Sequence, residues 1–193
     1  MRYLIFVITA VALLSCGSSS SGGGGAAIDL NGFTTEDLGG GVTRAFKKSG
    51  EHYTELGIVS GGTKNGVWMT YYDGEEAGKI KTATSYSNGA LNGPHFEYNN
   101  RGQIELETNY ANGKKHGKYA KYKFGRPVEV KHYGMDKLNG ISTTYFQDGE
   151  VQQIINYKDN QQHGNMKWFN EEGKLVMEYE YKNGEKVSGG IVE

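Results

Sequence analysis

A tyrosine returns along this chain with a nearly fixed step. Tyr86, Tyr110, Tyr133, Tyr157 and Tyr181 are separated by 24, 23, 24 and 24 residues. Such self-similarity marks a repeat architecture. Glycines keep the same step: Gly41, Gly66, Gly93, Gly117, Gly140 and Gly164 are each read as opening a strand. The residue five places after each is aromatic, giving Phe46, Tyr71, Tyr98, Tyr122, Tyr145 and Phe169. A second glycine set, Gly50, Gly78, Gly102, Gly125, Gly149 and Gly173, falls in mid-unit. The longer step from Gly66 to Gly93 is taken up by the turn Asp73–Gly78. A unit of this length is too short for a strand–helix–strand crossover. It carries two runs of strand-forming residues divided by turn residues, so each unit is a β-hairpin.

The clearest copy is Tyr110 to Tyr133. Asn112-Gly113 opens it, and Asn-Gly between alternating apolar residues is a strong hairpin signal because both turn residues need positive φ. Six units predict an all-β fold: an elongated antiparallel meander of about six stacked hairpins, roughly twelve strands. Positions one, three and five after each opening glycine share a face. That face holds Val67, Met69 and Tyr71, then Pro94, Phe96 and Tyr98, then Ile141, Thr143 and Tyr145. Stacking is expected to align Phe46, Tyr71, Tyr98, Tyr122, Tyr145 and Phe169 into a structural aromatic ladder, each neighbouring pair adding about 0.5–1.5 kcal/mol.

Composition agrees with many turns and a small core. There are 30 Gly, 2 Pro and 14 Tyr, and hydrophobic residues make up 36%. A net charge of -1 argues against a partner chosen by bulk charge.

The pattern Tyr-x-Asn-Gly-x-x-x-Gly, with an aromatic five residues on, resembles the MORN repeat. It is similar to the bacterial MORN-like variety of the YwqK antitoxin family. The resemblance spans about Gly41 to Gly189, within a repeat domain of residues 41–193, and implies stacked hairpins used as a scaffold, dimerisation module or membrane-associated adaptor. Two copies depart from the pattern. Met135-Asp136 and Asp159-Asn160 stand where Asn-Gly is expected, and these turns are expected to differ in detail.

Residues 1–15 read as a signal peptide. Arg2 supplies a positive start, and Tyr3–Leu14 is apolar but too short to span a bilayer comfortably. The only cysteine, Cys16, closes the sequence Leu13-Leu14-Ser15-Cys16, which resembles a lipoprotein lipobox. Lipidation at Cys16 would anchor the chain, since each buried acyl methylene contributes about 0.8 kcal/mol. Residues 16–27 form a Gly/Ser tether, whose Gly17–Gly25 stretch spans roughly 17 Å, and residues 28–40 a lead-in to the repeats. The expected address is the bacterial envelope, lipid-anchored, at the outer membrane facing the periplasm.

No catalytic residues are assigned. With a single cysteine, a cysteine-rich metal site is excluded. His116 and His163 precede repeat glycines, as Asn65, Asn92 and Asn139 do in other copies, so they read as turn variants. No cofactor and no metal are expected. The run Lys114, Lys115, Lys118, Lys121, Lys123, Arg126 and Lys131 suits a solvated strand face or an anionic lipid headgroup. The candidate binding face is Trp68, Tyr72, Tyr119, Lys121, Phe146 and Trp168, suited to a protein or glycan. Its alternative reading is a face covered by the segment Ile28 to Gly40. An export signal argues against a nucleic-acid partner. The expectation is a non-enzymatic, membrane-anchored binding or scaffold lipoprotein. The alternatives are an antitoxin or immunity protein that occludes a toxin and, behind it, an enzyme acting on envelope polymers.

Overall fold

The computed structural model describes residues 26–49 and 52–192. The expected signal peptide, Cys16, nearly all of the expected tether and Gly50 lie outside the described residues. The chain forms β1 (Thr34–Gly39), β2 (Val42–Ser49), β3 (His52–Ser60), β4 (Thr63–Tyr71) and β5 (Ile80–Ser87). It continues with β6 (Ala90–Tyr98), β7 (Ile104–Ala111), β8 (Lys114–Lys123), β9 (Arg126–Gly134) and β10 (Lys137–Leu138). It ends with β11 (Gly140–Tyr145), β12 (Val151–Lys158), β13 (Gln161–Phe169), β14 (Leu175–Lys182) and β15 (Glu185–Ile191). All pair antiparallel with their chain neighbours in one open sheet, β10 and β11 both lying against β9. At about 4.8 Å per strand the sheet is roughly 60 Å wide. The repeats supply β2 to β14; β1 comes from the lead-in and β15 from the terminal copy.

The turns between units share one backbone. Asn88-Gly89, Asn112-Gly113, Met135-Asp136, Asp159-Asn160 and Asn183-Gly184 all have positive φ at both residues. The two copies without Asn-Gly therefore share the backbone of the others and differ in detail, in their side-chain bonds. Their second residues hold the left-handed conformation through side-chain bonds to the unit before. The Asp136 carboxylate accepts from the Lys115 N–H at 2.8 Å, and the Asn160 Oδ1 accepts from Leu138 N–H at 2.7 Å. In the Asn-Gly copies the bond runs the other way. Asn65 and Asn92 accept from the turn N–H of Asn88 and Asn112. His163 takes this role against Asn183, as its position before a repeat glycine implies. The second turn residue also donates its backbone N–H to the preceding unit in every copy: Gly89 to Lys64, Gly113 to Leu91, Asp136 to Lys115, Asn160 to Leu138 and Gly184 to Gln162. The units are thus stitched along their turns.

Gly66, Gly93, Gly117 and Gly164 do not open strands; they sit inside β4, β6, β8 and β13. Three of them, Gly93, Gly117 and Gly164, mark bulges, where the extra residues need a left-handed backbone. Gly93 has φ 104°, and a Cβ there would lie 3.0 Å from Ser85.

Cross-strand pairing sorts the side chains into two faces. The back face carries the expected set of positions one, three and five. Ring stacking along the ladder does not occur. Its members lie two strands apart, about 9.6 Å, beyond the reach of stacked rings. Each pairs instead within its own unit: Tyr71 with Ile80, Tyr98 with Ile104, Tyr122 with Pro127, Tyr145 with Val151 and Phe169 with Leu175. Such aromatic–aliphatic pairs contribute about 0.2–1 kcal/mol each. Phe46, in the degenerate first unit, faces Glu55.

The front face carries the repeating tyrosines. Its middle row begins Trp68, Thr84, His95, Thr108, Tyr119, Lys131 and, beyond Ser142, continues Ile155, Met166, Tyr179. The sheet is a single layer, so few side chains are fully covered. The buried hydrophobic cluster is Ala45, Leu56, Val59 and Trp68, with Ile28, Leu30 and Phe33 packed on it. It fills a corner where β3 and β4 pair over only three residues and then diverge.

Candidate functional site

The front face is the candidate interaction surface, and the structure divides the expected binding residues. Trp68 is not available. It is 6% exposed, its ring lies on Gly57, and its Nε1 donates to the Ile58 carbonyl at 2.9 Å. It wedges the β3–β4 corner, and the lead-in residues Ile28, Leu30 and Phe33 cover it, as the alternative reading allowed. Tyr72 is also committed to the fold, its hydroxyl donating to the Tyr98 carbonyl at 2.6 Å. Tyr119, Lys121 and Trp168 do share the front face, with Trp168 exposed. Phe146 belongs to a loop at the far edge, where its backbone pairs with Glu150. Equivalent loops begin with Asn99 and Asn170, whose side chains cap the turn. Phe146 has no such capping group, and Asp148 supplies it.

The centre of the face is built on β8 and β9. Tyr119 meets Tyr133 edge-on, ring centroids 5.9 Å apart. The Lys115 ammonium stands over both rings, 5.6 and 5.3 Å from their centroids. Glu129 lies between two further lysines, 2.5 Å from Lys131 and 3.9 Å from Lys121. Burial pulls the Lys131 ammonium down, but the Glu129 carboxylate, with Tyr133 and Tyr119, outweighs it and holds the pKa above the ordinary lysine value. Burial raises the Tyr110 and Tyr86 hydroxyls, which stay protonated donors. His95 shares a 2.7 Å hydrogen bond with Thr84 and meets Tyr110 edge-on.

The basic run of the sequence is not one patch. Lys115, Lys121 and Lys131 are on the front face. Lys118 is on the back, bonded to Glu107 at 2.8 Å and to the Tyr122 hydroxyl at 3.0 Å. Lys123, the last residue of β8, stands over the ring of the turn residue Phe124, and Arg126 donates to the Asp148 carbonyl.

Sequence reasoning missed one column of the front face. The second residue after each unit turn is Lys64, Leu91, Lys115, Leu138, Gln162 and Lys186. Aligning the turns alone would have revealed it. Lys64 stands over Trp68 and Tyr86 at 4.7 and 5.1 Å, and Lys186 over Tyr179 at 3.9 Å.

Among the described residues no three of His, Cys, Asp and Glu gather as a metal site. One open recess, lined by Asn139, Asn156, His163, Asn165 and Lys167, holds amides already used within the fold. Asn156 donates to the Asn165 carbonyl, and Asn165 to Glu178.

Residues 138–159 and 162–183 match the MORN repeat variant. The first matched stretch runs from β10 to β12 and the second from β13 through β14, and the turn stitching occurs in both. No curated protein matches the chain. A solved structure of a Staphylococcus aureus TarM mutant, in complex with fondaparinux, alpha-GlcNAc-glycerol and UDP, aligns over 83% of this chain and 22% of that one. The identity is 10% and the TM-score 0.28, a likeness that carries no argument. The chain thus spans about a fifth of that protein's length.

Proposed function

We propose that the chain is a non-enzymatic binding or scaffold lipoprotein of the bacterial envelope. Its repeat sheet meets a protein partner through the front face, and Cys16 holds it by lipid at the outer membrane, facing the periplasm. The observation that carries the reading is an open single-layer sheet whose front face leaves Tyr119, Lys121 and Trp168 available beside half-buried tyrosines. Such amphipathic rings supply contact area at low entropy cost. The lipobox-like sequence ending at Cys16 supports the anchor.

Photo-crosslinkers placed at Tyr119 and Trp168 in living cells test the face, with Trp68 as a buried control. The expected result is one partner captured from both front-face positions and not from Trp68. Equal capture from all three, or none, refutes the reading. Intact mass of the mature chain tests the anchor: an acylated N-terminal Cys16 is expected, and Cys16→Ser should release the protein from membranes.

An antitoxin would use the same face to occlude a toxin. That reading rests on the MORN-type repeats alone, and deletion of the gene without loss of viability would remove it. A glycan or an anionic lipid remains a ligand for the crosslinking and vesicle measurements to detect.

A further inference from the structure

The two faces treat their lysines differently. On the back face Lys118 of β8 pairs with Glu107 at 2.8 Å, and Lys167 of β13 with Glu178 at 3.5 Å. From β4 to β15 the front face holds Lys64, Lys115, Lys121, Lys131 and Lys186 against Glu97 and Glu129. Lys121 and Lys131 share Glu129. Among the described residues Lys64, Lys115 and Lys186 have no carboxylate within ion-pair distance and rest on aromatic rings instead. All three occupy one repeat position, the second residue after the unit turn.

We propose that this column is a docking track for an extended, acidic polypeptide segment lying across the strands along the turn edge of the front face. The inference rests on the front face being the binding face and adds the chemistry of the partner. Three observations favour it. The face has a net excess of cations, so it is complementary to an anion and repels a second copy of itself. The ammonium groups are positioned by Trp68, Tyr86, Tyr119, Tyr133 and Tyr179, so little side-chain freedom is lost when a carboxylate arrives. Between the cations the same face presents Leu91, Leu138, Ile155 and Met166. Those surfaces match apolar side chains between acidic ones, which a polysaccharide does not carry. The lysines also cover the ring faces on which a sugar would stack. From Lys64 to Lys115 is four strand spacings, about 19 Å, or roughly six residues of extended chain.

The test uses the full chain in non-ionic detergent and two labelled 30-residue peptides, poly-L-glutamate and a glutamate peptide with leucine at every third position. Fluorescence anisotropy is expected to show binding, tighter for the leucine-containing peptide and at least tenfold weaker at high salt. Changing Lys64, Lys115 and Lys186 to Gln should weaken binding tenfold or more, and Arg at the same positions should retain it. Should the triple variant lose its circular dichroism spectrum, Lys115→Gln with Lys186→Gln, both away from the corner, makes the same test. The back-face pair Lys118→Gln and Lys167→Gln should change binding less than twofold. Equal loss from both faces, or none from the front, overturns the proposal. Binding of phosphatidylglycerol vesicles but not peptide, with the same lysine dependence, overturns it in favour of a membrane surface. If crosslinking from Tyr119 captures a partner that the triple Gln variant still binds, the front-face reading stands and the acidic-segment reading falls.

Discussion

The corner around β3 and β4 and the regular repeats from β6 to β14 solve the same problem by different means. A sheet must cover one of its faces or find another source of stability. At the corner the chain covers a face. Ile28, Leu30 and Phe33 lie over Ala45, Leu56, Val59 and Trp68, and Trp68 fills the gap where the strands part. Among the described residues the repeats have no second layer. Ala120, at 0% exposure, is the one buried hydrophobic residue among the described part of β6 to β14. There stability comes from ladder pairing, aromatic–aliphatic pairs and turns bonded from unit to unit. A core concentrates energy in a few residues; stitched repeats spread it over many, with each unit depending on its neighbours.

Removing the core residue should break this contrast most sharply. Trp68→Ala is expected to cost about 3–5 kcal/mol locally. Hydrogen exchange should show β1–β3 losing protection while β8–β14 keep theirs. Uniform loss would mean that corner and repeats unfold as one unit. Next in size is Gly57→Ala. Its Cβ would lie 2.7 Å from the Trp68 ring, a rigid neighbour, and the cost should reach about 3 kcal/mol in urea melts. Gly113→Ala meets open space and costs only the strain of an alanine held at φ 80°, about 1–2 kcal/mol. If the two cost the same, the corner is not tightly packed.

The repeats were far more legible in the sequence than the corner, for a physical reason. Hairpin turns and alternating faces are local, so Asn112-Gly113 and the step from Val67 to Met69 to Tyr71 disclose them directly. Trp68 looked like a surface aromatic because its burial depends on Ile28 and Leu30, residues remote in sequence, and on two strands diverging. The aromatic ladder failed on distance: register aligned the rings, but pairing with chain neighbours set them two strands apart. The lysine run was misleading because adjacent letters alternate between faces, so Lys118 and Lys121 belong to different surfaces. The turn at Met135-Asp136 looked aberrant because its left-handed backbone is held by a bond to Lys115 in the unit before.

That turn offers a sharper view of the stitching. Asp136→Ala removes the bond to Lys115 and leaves an alanine at φ 68°, so a cost of about 1–2 kcal/mol is expected in equilibrium unfolding. Asp136→Asn keeps an acceptor oxygen and tolerates the backbone, and should cost under about 0.5 kcal/mol. Equal costs for the two would show that neither the side-chain stitch nor the left-handed backbone of this turn contributes to stability.

The smallest expected effect separates the repeats by pH. Burial raises the Glu107 carboxyl, but hydrogen bonds from Lys118, Tyr122 and Asn109 outweigh it and hold its pKa below the ordinary 4.5. A depressed carboxyl contributes stability that is present above its unfolded pKa and lost as pH falls through the folded one. The partner bonds raise the Lys118 pKa above 10.5, so its share is present below that value and lost as pH rises through the folded pKa. Stability of the β7–β8 hairpin should therefore fall on acidification below about pH 4.5 more steeply in the native chain than in Glu107→Gln. The difference should stay under about 1 kcal/mol, because the Lys118 side chain is 41% exposed and solvent screens the pair. Hydrogen exchange read hairpin by hairpin decides it. The apolar cluster of the corner holds no carboxylate, but Glu36 and Glu55 beside it pair with Arg44, so an acid response there should persist in Glu107→Gln; a β7–β8 response that also persisted would show that acid does not act through Glu107.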